Sequence, residues 1–285
     1  ANMGMANVSV IDTTTSKVVA TVPVSQRPEG IAVNEKTNRV YVACVMADTV
    51  HVIDGETDKP SATFTAGRGP LGVAVDADAN RVYVANGYDN TVSVIDGDKK
   101  EVVATVPVGR APCAVAVDSK RKRVYVANNR SETVSVIDAE SNTVLGAVKV
   151  GRYPFGMAVD PETGRVFVPN MNGESVTVID GPNAKALSSI PVQGGPISTL
   201  VDAESGRLYV ACLRGGGVGV ADLKTYKGLG WIAGMKSPVG LAVSPSTHWL
   251  YVTNRDLNVV SVVDLKTGQP VGSIPLAPSP GGNWP

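Results

Sequence analysis

The sequence repeats itself every 42 residues. The motif Val-Ser-Val-Ile-Asp and its variants close on Asp12, Asp54, Asp96, Asp138, Asp180, Asp222 and Asp264, each 42 residues after the last. Prolines keep the same period, at Pro28, Pro70, Pro112, Pro154, Pro196, Pro238 and Pro280. No insertion interrupts either series. A strict period of this length means that one supersecondary unit is copied and stacked on its neighbours.

One period reads as four short strands. In the first full copy they are Gly30-Ile31-Ala32-Val33, Arg39 to Ala43, Thr49 to Ile53, and a weaker Ser61 to Phe64. Turn clusters such as 34–38 and 54–57 separate them, and no 3.6-residue periodicity appears. Four antiparallel strands in roughly 40–45 residues describe a propeller blade. The expectation is an all-β, seven-bladed β-propeller forming a single domain over residues 1–285. Pro23, Pro107, Pro191 and Pro275 fall in the fourth strand, where an outer edge tolerates a residue that cannot donate to a ladder. Aligned on the repeat, Ala1-Asn2 ends a second strand, so the closing blade is expected to be shared between the termini. Its third and fourth strands would span about 7–24, and its first would come from Gly282 onward. Seven periods need 294 residues, nine more than the 285 present, so that blade lacks its second strand or the chain is shortened. The tail 281–285 is expected beside the N-terminal segment.

The wording of the repeat is specific. Tyr-Val-Ala-Asn at Tyr83–Asn86 and Tyr125–Asn128, Tyr-Val-Thr-Asn at Tyr251–Asn254, Pro28 to Val33, and Thr91 to Asp96 resemble the YVTN-repeat β-propellers over essentially the whole chain. The resemblance implies a prokaryotic protein, secreted, periplasmic or surface-exposed, and implies no particular activity. Propellers host enzymes, binders and scaffolds alike.

Charge narrows the choice. With 26 basic and 26 acidic residues the net charge is zero, which argues against nucleic acid or an anionic membrane as a bulk-electrostatic partner. No apolar run approaches the about 18–20 residues of a membrane span, and the N-terminus shows no leader pattern. A monomer is expected.

In a propeller the loops entering the first strand and those joining second to third strands share one face, and that face is the expected binding face. Two residues before the entry proline stand Arg68, Arg110 and Arg152, with Lys236 in a later copy and Arg27 one place off. Guanidinium forks suit carboxylate or phosphate. The leading reading is therefore a binding or interaction propeller whose channel mouth takes an anionic small molecule or an acidic protein surface. Arg27, Arg68, Arg110, Arg152 and Lys236 would supply charge, and Tyr153, Phe155 and Tyr88 apolar contacts. The competing reading is that arginine is simply the usual residue of this loop, capping neighbouring carbonyls. Met46, Arg130, Arg214 and Arg255 depart from the repeat in adjoining loops, where specificity would be written.

Two further functional readings stay open. One is an enzyme, a lactone hydrolase, lyase or isomerase, with Glu29 or Cys113 as acid/base candidate in the same mouth. The other is a structural cell-surface module. Cys44 and Cys212 share one repeat position four periods apart, so three free thiols are expected. His51 reads as packed between blades, and His248 lies in a hairpin. Zinc, calcium, Walker and dinucleotide motifs are absent from the sequence, and no metal or cofactor is expected. The Asp76 to Arg81 turn and its relatives on the opposite face read as structural clasps, and Lys120 to Arg123 as a solvated turn.

Overall fold

The computed structural model describes residues 1–276. Every regular element in it is a β-strand. The first full copy folds as Pro28–Asn34, Arg39–Cys44, Thr49–Asp54 and Lys59–Thr65, paired antiparallel in chain order. The fold is an all-β propeller with four-stranded blades, and in this first copy the fourth strand is as long as the first.

Among the described residues six four-stranded sheets form, with one two-stranded sheet. The expectation of seven blades is corrected to six. The two-stranded sheet, Asn7–Asp12 with Lys17–Pro23, is what the third and fourth strands of the closing blade become. Its would-be second strand is reduced to a single bridge between Asn2 and Asn7. Asn2 nevertheless does what the repeat asparagine does. Its Nδ2 donates to Ser9 Oγ at 2.8 Å, as Asn86 Nδ2 donates to Ser93 Oγ at 2.9 Å. Pro280 and the tail 281–285, with the first strand expected there, lie outside the described residues.

The chain forms two compact units. Among the described residues the first comprises 1–11 and 18–148, the second 12–17 and 149–276. The first holds the two-stranded sheet and blades 1 to 3, beginning at Pro28, Pro70 and Pro112; the second holds blades 4 to 6. Within each unit, buried Val, Ile, Leu and Tyr side chains fill the space between neighbouring blades. Tyr41, Val50, Val52 and Phe64 of blade 1 pack with Val73, Val82, Val84 and Ile95 of blade 2. Phe167, Val176 and Ile190 of blade 4 pack with Leu208, Val210 and Ala221 of blade 5.

The repeat aspartate is structural. Asp54 Oδ1 accepts from the Glu56 and Thr57 amides at 3.1 and 2.9 Å, and Asp96 and Asp138 cap their turns likewise. Hydrogen bonds to the charged form, chiefly from backbone amides, hold the carboxyls of Asp54, Asp96 and Asp138 below their ordinary range. Pro23, Pro107, Pro191 and Pro275 each end a fourth strand. Each four-stranded blade also bulges in that strand or, in blade 3, carries exposed Val144 and Leu145 there; at the bulges of blades 2, 4, 5 and 6 sit Val103, Leu187, Leu229 and Val271. A bulge breaks the run of unpaired backbone groups that would otherwise template aggregation.

Blade 4 breaks the pattern. Its first strand shrinks to Ala158–Val159. The cause is Pro169, which replaces the alanine of Tyr-Val-Ala-Asn. Its carbonyl accepts from the Phe155 amide at 3.0 Å, so its own missing N–H is the donor owed to the first strand. Released there, Gly156 pairs with blade 5 instead: its amide donates to Ile197 O at 3.0 Å and its carbonyl accepts from the Thr199 amide at 3.2 Å.

Candidate functional site

In every blade the entry loop and the loop joining second to third strand are zipped together by backbone. The residue before the proline has positive φ in all six: Arg27, Gly69, Ala111, Tyr153, Gly195 and Ser237, between 50° and 69°. Its carbonyl accepts from the first amide of the facing loop, at Val45, Gly87, Asn129, Met171, Leu213 and Arg255, over 2.8–3.1 Å. Because this conformation recurs at non-glycine residues, it belongs to the turn and marks no special strain. The backbone is a fixed rack, and side chains on it vary.

The carriers of charge differ in how far they are already satisfied. Arg27 Nε is 2.8 Å from Glu29 Oε1. Arg68 Nε is 2.7 Å from Asp89 Oδ1, while Asp89 Oδ2 accepts from the Arg68 amide at 2.7 Å. These amide and guanidinium bonds hold the Asp89 carboxyl below its ordinary range, favouring the charged form. Arg110, Arg152 and Lys236 are exposed and make no ion pair among the described residues. Arg68 is thus satisfied by a neighbouring carboxylate, and the other three make no such pair among the described residues.

Blade 3 concentrates the effect. Ser131 stands where blade 2 has Asp89, and its Oγ accepts from the Arg110 amide at 2.7 Å, so the cap is kept and the carboxylate is lost. Arg130 stands where blade 2 has Tyr88, and its amide donates to the Arg110 carbonyl at 3.2 Å. Arg130 is also exposed and without an ion pair among the described residues. Two guanidiniums therefore share one pair of zipped loops. Glu132 follows, but approaches neither within ion-pair distance.

The remaining predicted residues fall as follows. Tyr88 is 65 % exposed and lies over Gly69, where a Cβ would meet its ring at 2.7 Å. Its amide donates to the Arg68 carbonyl, so Arg68 and Tyr88 are brought together. Tyr153 is exposed, and Phe155 is half-buried in the stretch loosened by Pro169. Arg152, Tyr153, Phe155 and Lys236 belong to the second unit, the others to the first. Cys113 is buried, its Sγ 3.5 Å from Ala127 O, and burial pushes its thiol up to about 12, with a small push from the Glu29 charge. A thiol that stays protonated at neutral pH is a poor nucleophile. Glu29, the other acid/base candidate, is committed to Arg27. All three cysteines are free and buried. Among the described residues no group of three or more His, Cys, Asp or Glu side chains could hold a metal ion, and no helix is long and apolar enough to cross a membrane.

His51 and Cys44 belong to a substituted module. In blades 2, 3 and 4 a buried asparagine (Asn86, Asn128, Asn170) donates to a hydroxyl (Ser93, Ser135, Thr177) at 2.9 Å, and a glycine (Gly67, Gly109, Gly151) lies flat against it. In blade 1 all three change at once: Cys44 for asparagine, His51 for the hydroxyl and Ser25 for glycine. His51 Nε2 lies 2.8 Å from Ser25 Oγ and accepts from the Ser25 amide at 3.3 Å. Blade 5 makes its own exchange, with Cys212, Gly219 and Gln193.

In the second unit an open depression of about 420 Å³ is lined by Leu213, Arg214, Gly216, Met235, Lys236, Ser237, Arg255 and Asp256. Arg214 is fully engaged, by Glu174 at 2.9 Å, the Met171 carbonyl at 2.8 Å and Asn172 at 3.2 Å. Arg255 Nε contacts Asp256 at 3.2 Å, and Ser237 Oγ donates to the same carboxylate at 2.5 Å.

Comparison with known proteins places these features on a shared scaffold. The fold matches Kuenenia stuttgartiensis hydrazine synthase with a TM-score of 0.83 at 20 % identity, over 93 % of this chain and 91 % of that one. It matches a functionally unknown protein from Desulfotomaculum acetoxidans at 0.85 and 15 % identity, over 96 % and 93 %. It also matches the dihydro-heme d1 dehydrogenase NirN at 0.75 and 19 % identity, over 99 % of this chain and 63 % of that one. At these identities the likeness is one of fold. No curated protein matches the sequence. A profile of the YNCE-like beta-propeller family matches residues 55–165, the stretch from the end of blade 1 into blade 4 that includes the blade-3 arginine pair.

Proposed function

We propose that this chain is a binding propeller whose entry-loop face recruits an anionic small molecule or an acidic protein surface. One observation carries the reading: Arg110 and Arg130 stand on hydrogen-bonded facing loops of blade 3, exposed and without an ion pair among the described residues. Arginine pairs of this kind favour bidentate capture of carboxylate or phosphate oxygens. The locked backbone keeps the ordering cost of binding low. Arg152 and Lys236 extend the same chemistry to the second unit.

Inorganic phosphate and a decaglutamate peptide, followed by isothermal titration and amide chemical shifts, test the reading. Arg110→Ala with Arg130→Ala is expected to weaken binding about tenfold, and raised salt to weaken it in the wild type. Unchanged affinity in the double variant overturns it.

A further inference from the structure

The depression in the second unit has a charge balance and a lining that specify more than an anion. Arg214 is neutralised by Glu174, and Arg255 by Asp256. Lys236 makes no ion pair among the described residues, although its charge acts on Asp256 as that of Arg255 does, and three cations against Glu174 and Asp256 leave one net positive charge. Its ammonium is a point charge that imposes no planar geometry. Two of the lining side chains, Leu213 and Met235, are apolar. Met235 is buried and occupies the place held by Gly67, Gly109 and Gly151 in other blades. Leu213 occupies the place of Gly87 and Asn129.

The backbone around these residues is pinned. The Met235 amide donates to Gly216 O at 3.1 Å, the Leu213 amide to Gly195 O at 3.0 Å, and the Lys236 amide to Asn254 Oδ1 at 3.0 Å. Gly216 has a φ of 67°, and a Cβ on it would meet the Met235 carbonyl at 3.1 Å. A volume of about 420 Å³ lies within the ordinary range for small-molecule sites, about 300–1,000 Å³.

We propose that this depression binds a monoanion bearing an apolar group, a medium-chain carboxylate being the simplest member of the class. The carboxylate would sit at Lys236 and the chain along Leu213 and Met235. A dianion would leave one charge unmatched, and a short carboxylate would forgo the apolar walls. The proposal rests on the reading that entry-loop cations recruit anions, and applies it to a second place with its own selectivity.

The test is calorimetric titration with octanoate, acetate, octanol and octylamine. Octanoate is expected to bind at least tenfold more tightly than acetate and octanol, and octylamine not at all. Lys236→Met should weaken octanoate at least tenfold, Lys236→Arg should retain it, and Met235→Ala should narrow the gap between octanoate and acetate. Because Lys236 is exposed, its two variants are expected to keep the wild-type melting temperature, whereas Met235→Ala, which truncates a core side chain, is expected to lower it and is read only through the octanoate-to-acetate ratio. Octanoate binding that survives Lys236→Met, or octanol binding as well as octanoate, overturns the proposal. If Arg110→Ala with Arg130→Ala abolishes phosphate binding while Lys236→Met leaves octanoate unaltered, this site fails and the blade-3 reading stands. If neither anion binds the wild type, both fail.

Discussion

Blades 2 and 3 are nearly the same blade. Both carry Arg-Val-Tyr-Val-Ala-Asn in the second strand and Thr-Val-Ser-Val-Ile-Asp in the third, and their core side chains pack together. On the entry-loop face they differ at several positions, and two of these exchanges decide how the entry-loop arginine is partnered. Blade 2 has Tyr88 and Asp89, and its Arg68 is clamped; blade 3 has Arg130 and Ser131, and its Arg110 is not. The same loops, with the same backbone bonds, change from one paired arginine to two unpaired ones, with Glu132 outside ion-pair distance of either. Ser131 keeps the hydrogen bond to the entry-loop amide that Asp89 makes, so the exchange alters charge and leaves the cap in place. A repeat protein can thus write a site without touching its fold.

The two blades also meet along their first strands, where the largest effect is expected. A Cβ on Gly72 would lie 2.6 Å from Ala114 Cα and 2.8 Å from the Cys113 carbonyl oxygen. Both obstacles are backbone and cannot swing away. Gly72→Ala should destabilise by about 3 kcal/mol through overpacking. Ala114→Gly, at the equivalent place in blade 3, should cost about 1 kcal/mol or less. Thermal unfolding of the two variants measures the asymmetry, and equal shifts would break it.

Next in size is the exchange of charge. Ser131→Asp should clamp Arg110 as Asp89 clamps Arg68, and lower phosphate affinity about tenfold. Asp89→Ser with Tyr88→Arg should give blade 2 a binding site it lacks. Titration of both with inorganic phosphate checks the pair, and a wild-type affinity in Ser131→Asp would refute the comparison. A smaller effect separates the thiol from the charge around it. With its thiol held up to about 12, Cys113 should react with iodoacetamide at pH 8 far more slowly than free cysteine. Labelling at the rate of free cysteine would restore it as a nucleophile candidate.

How much of this was legible in the sequence differs from residue to residue. The period set the strands, because a four-stranded unit copied without insertion leaves little else to build. The prolines marked outer edges for a physical reason, and the structure puts them there. The blade count was not legible in the same way. Asn2 matches the repeat asparagine in phase and in bonding, yet one residue of a second strand makes a bridge and no ladder. Pro169 went unread in the sequence, because its consequence depends on which side its missing N–H faces. The entry-loop arginines were found by phase. Whether Arg68 and Arg110 are paired depends on the residue 21 positions later, Asp89 for the one and Ser131 for the other, a relation that only the zipped loops reveal.

The smallest expected effect sets blade 1 against blades 2 to 4. There the buried asparagine module has no titrating group, whereas blade 1 uses His51, Ser25 and Cys44. Burial lowers the ionisation of His51, and its Nε2 accepts from the Ser25 amide, a bond that exists only while that nitrogen carries no proton. Thr63 Oγ1 lies 3.5 Å from Nδ1, and the Cys44 thiol, itself pushed up by burial, is the other titratable neighbour in the module. The unfolded chain takes up a proton at His51 near pH 6.5, and the folded chain only at lower pH. Below 6.5 the unfolded state therefore binds more protons, and stability falls as the pH drops, levelling off once the folded value is passed. Melting temperatures of the wild type and His51→Asn between pH 7.5 and 5.5 isolate this contribution, since the repeat aspartates titrate below that window. The wild type should lose more stability than the variant. Parallel curves would mean that the Ser25 contact does not depend on the charge of His51, and that the substituted module is a packing variant of the asparagine one.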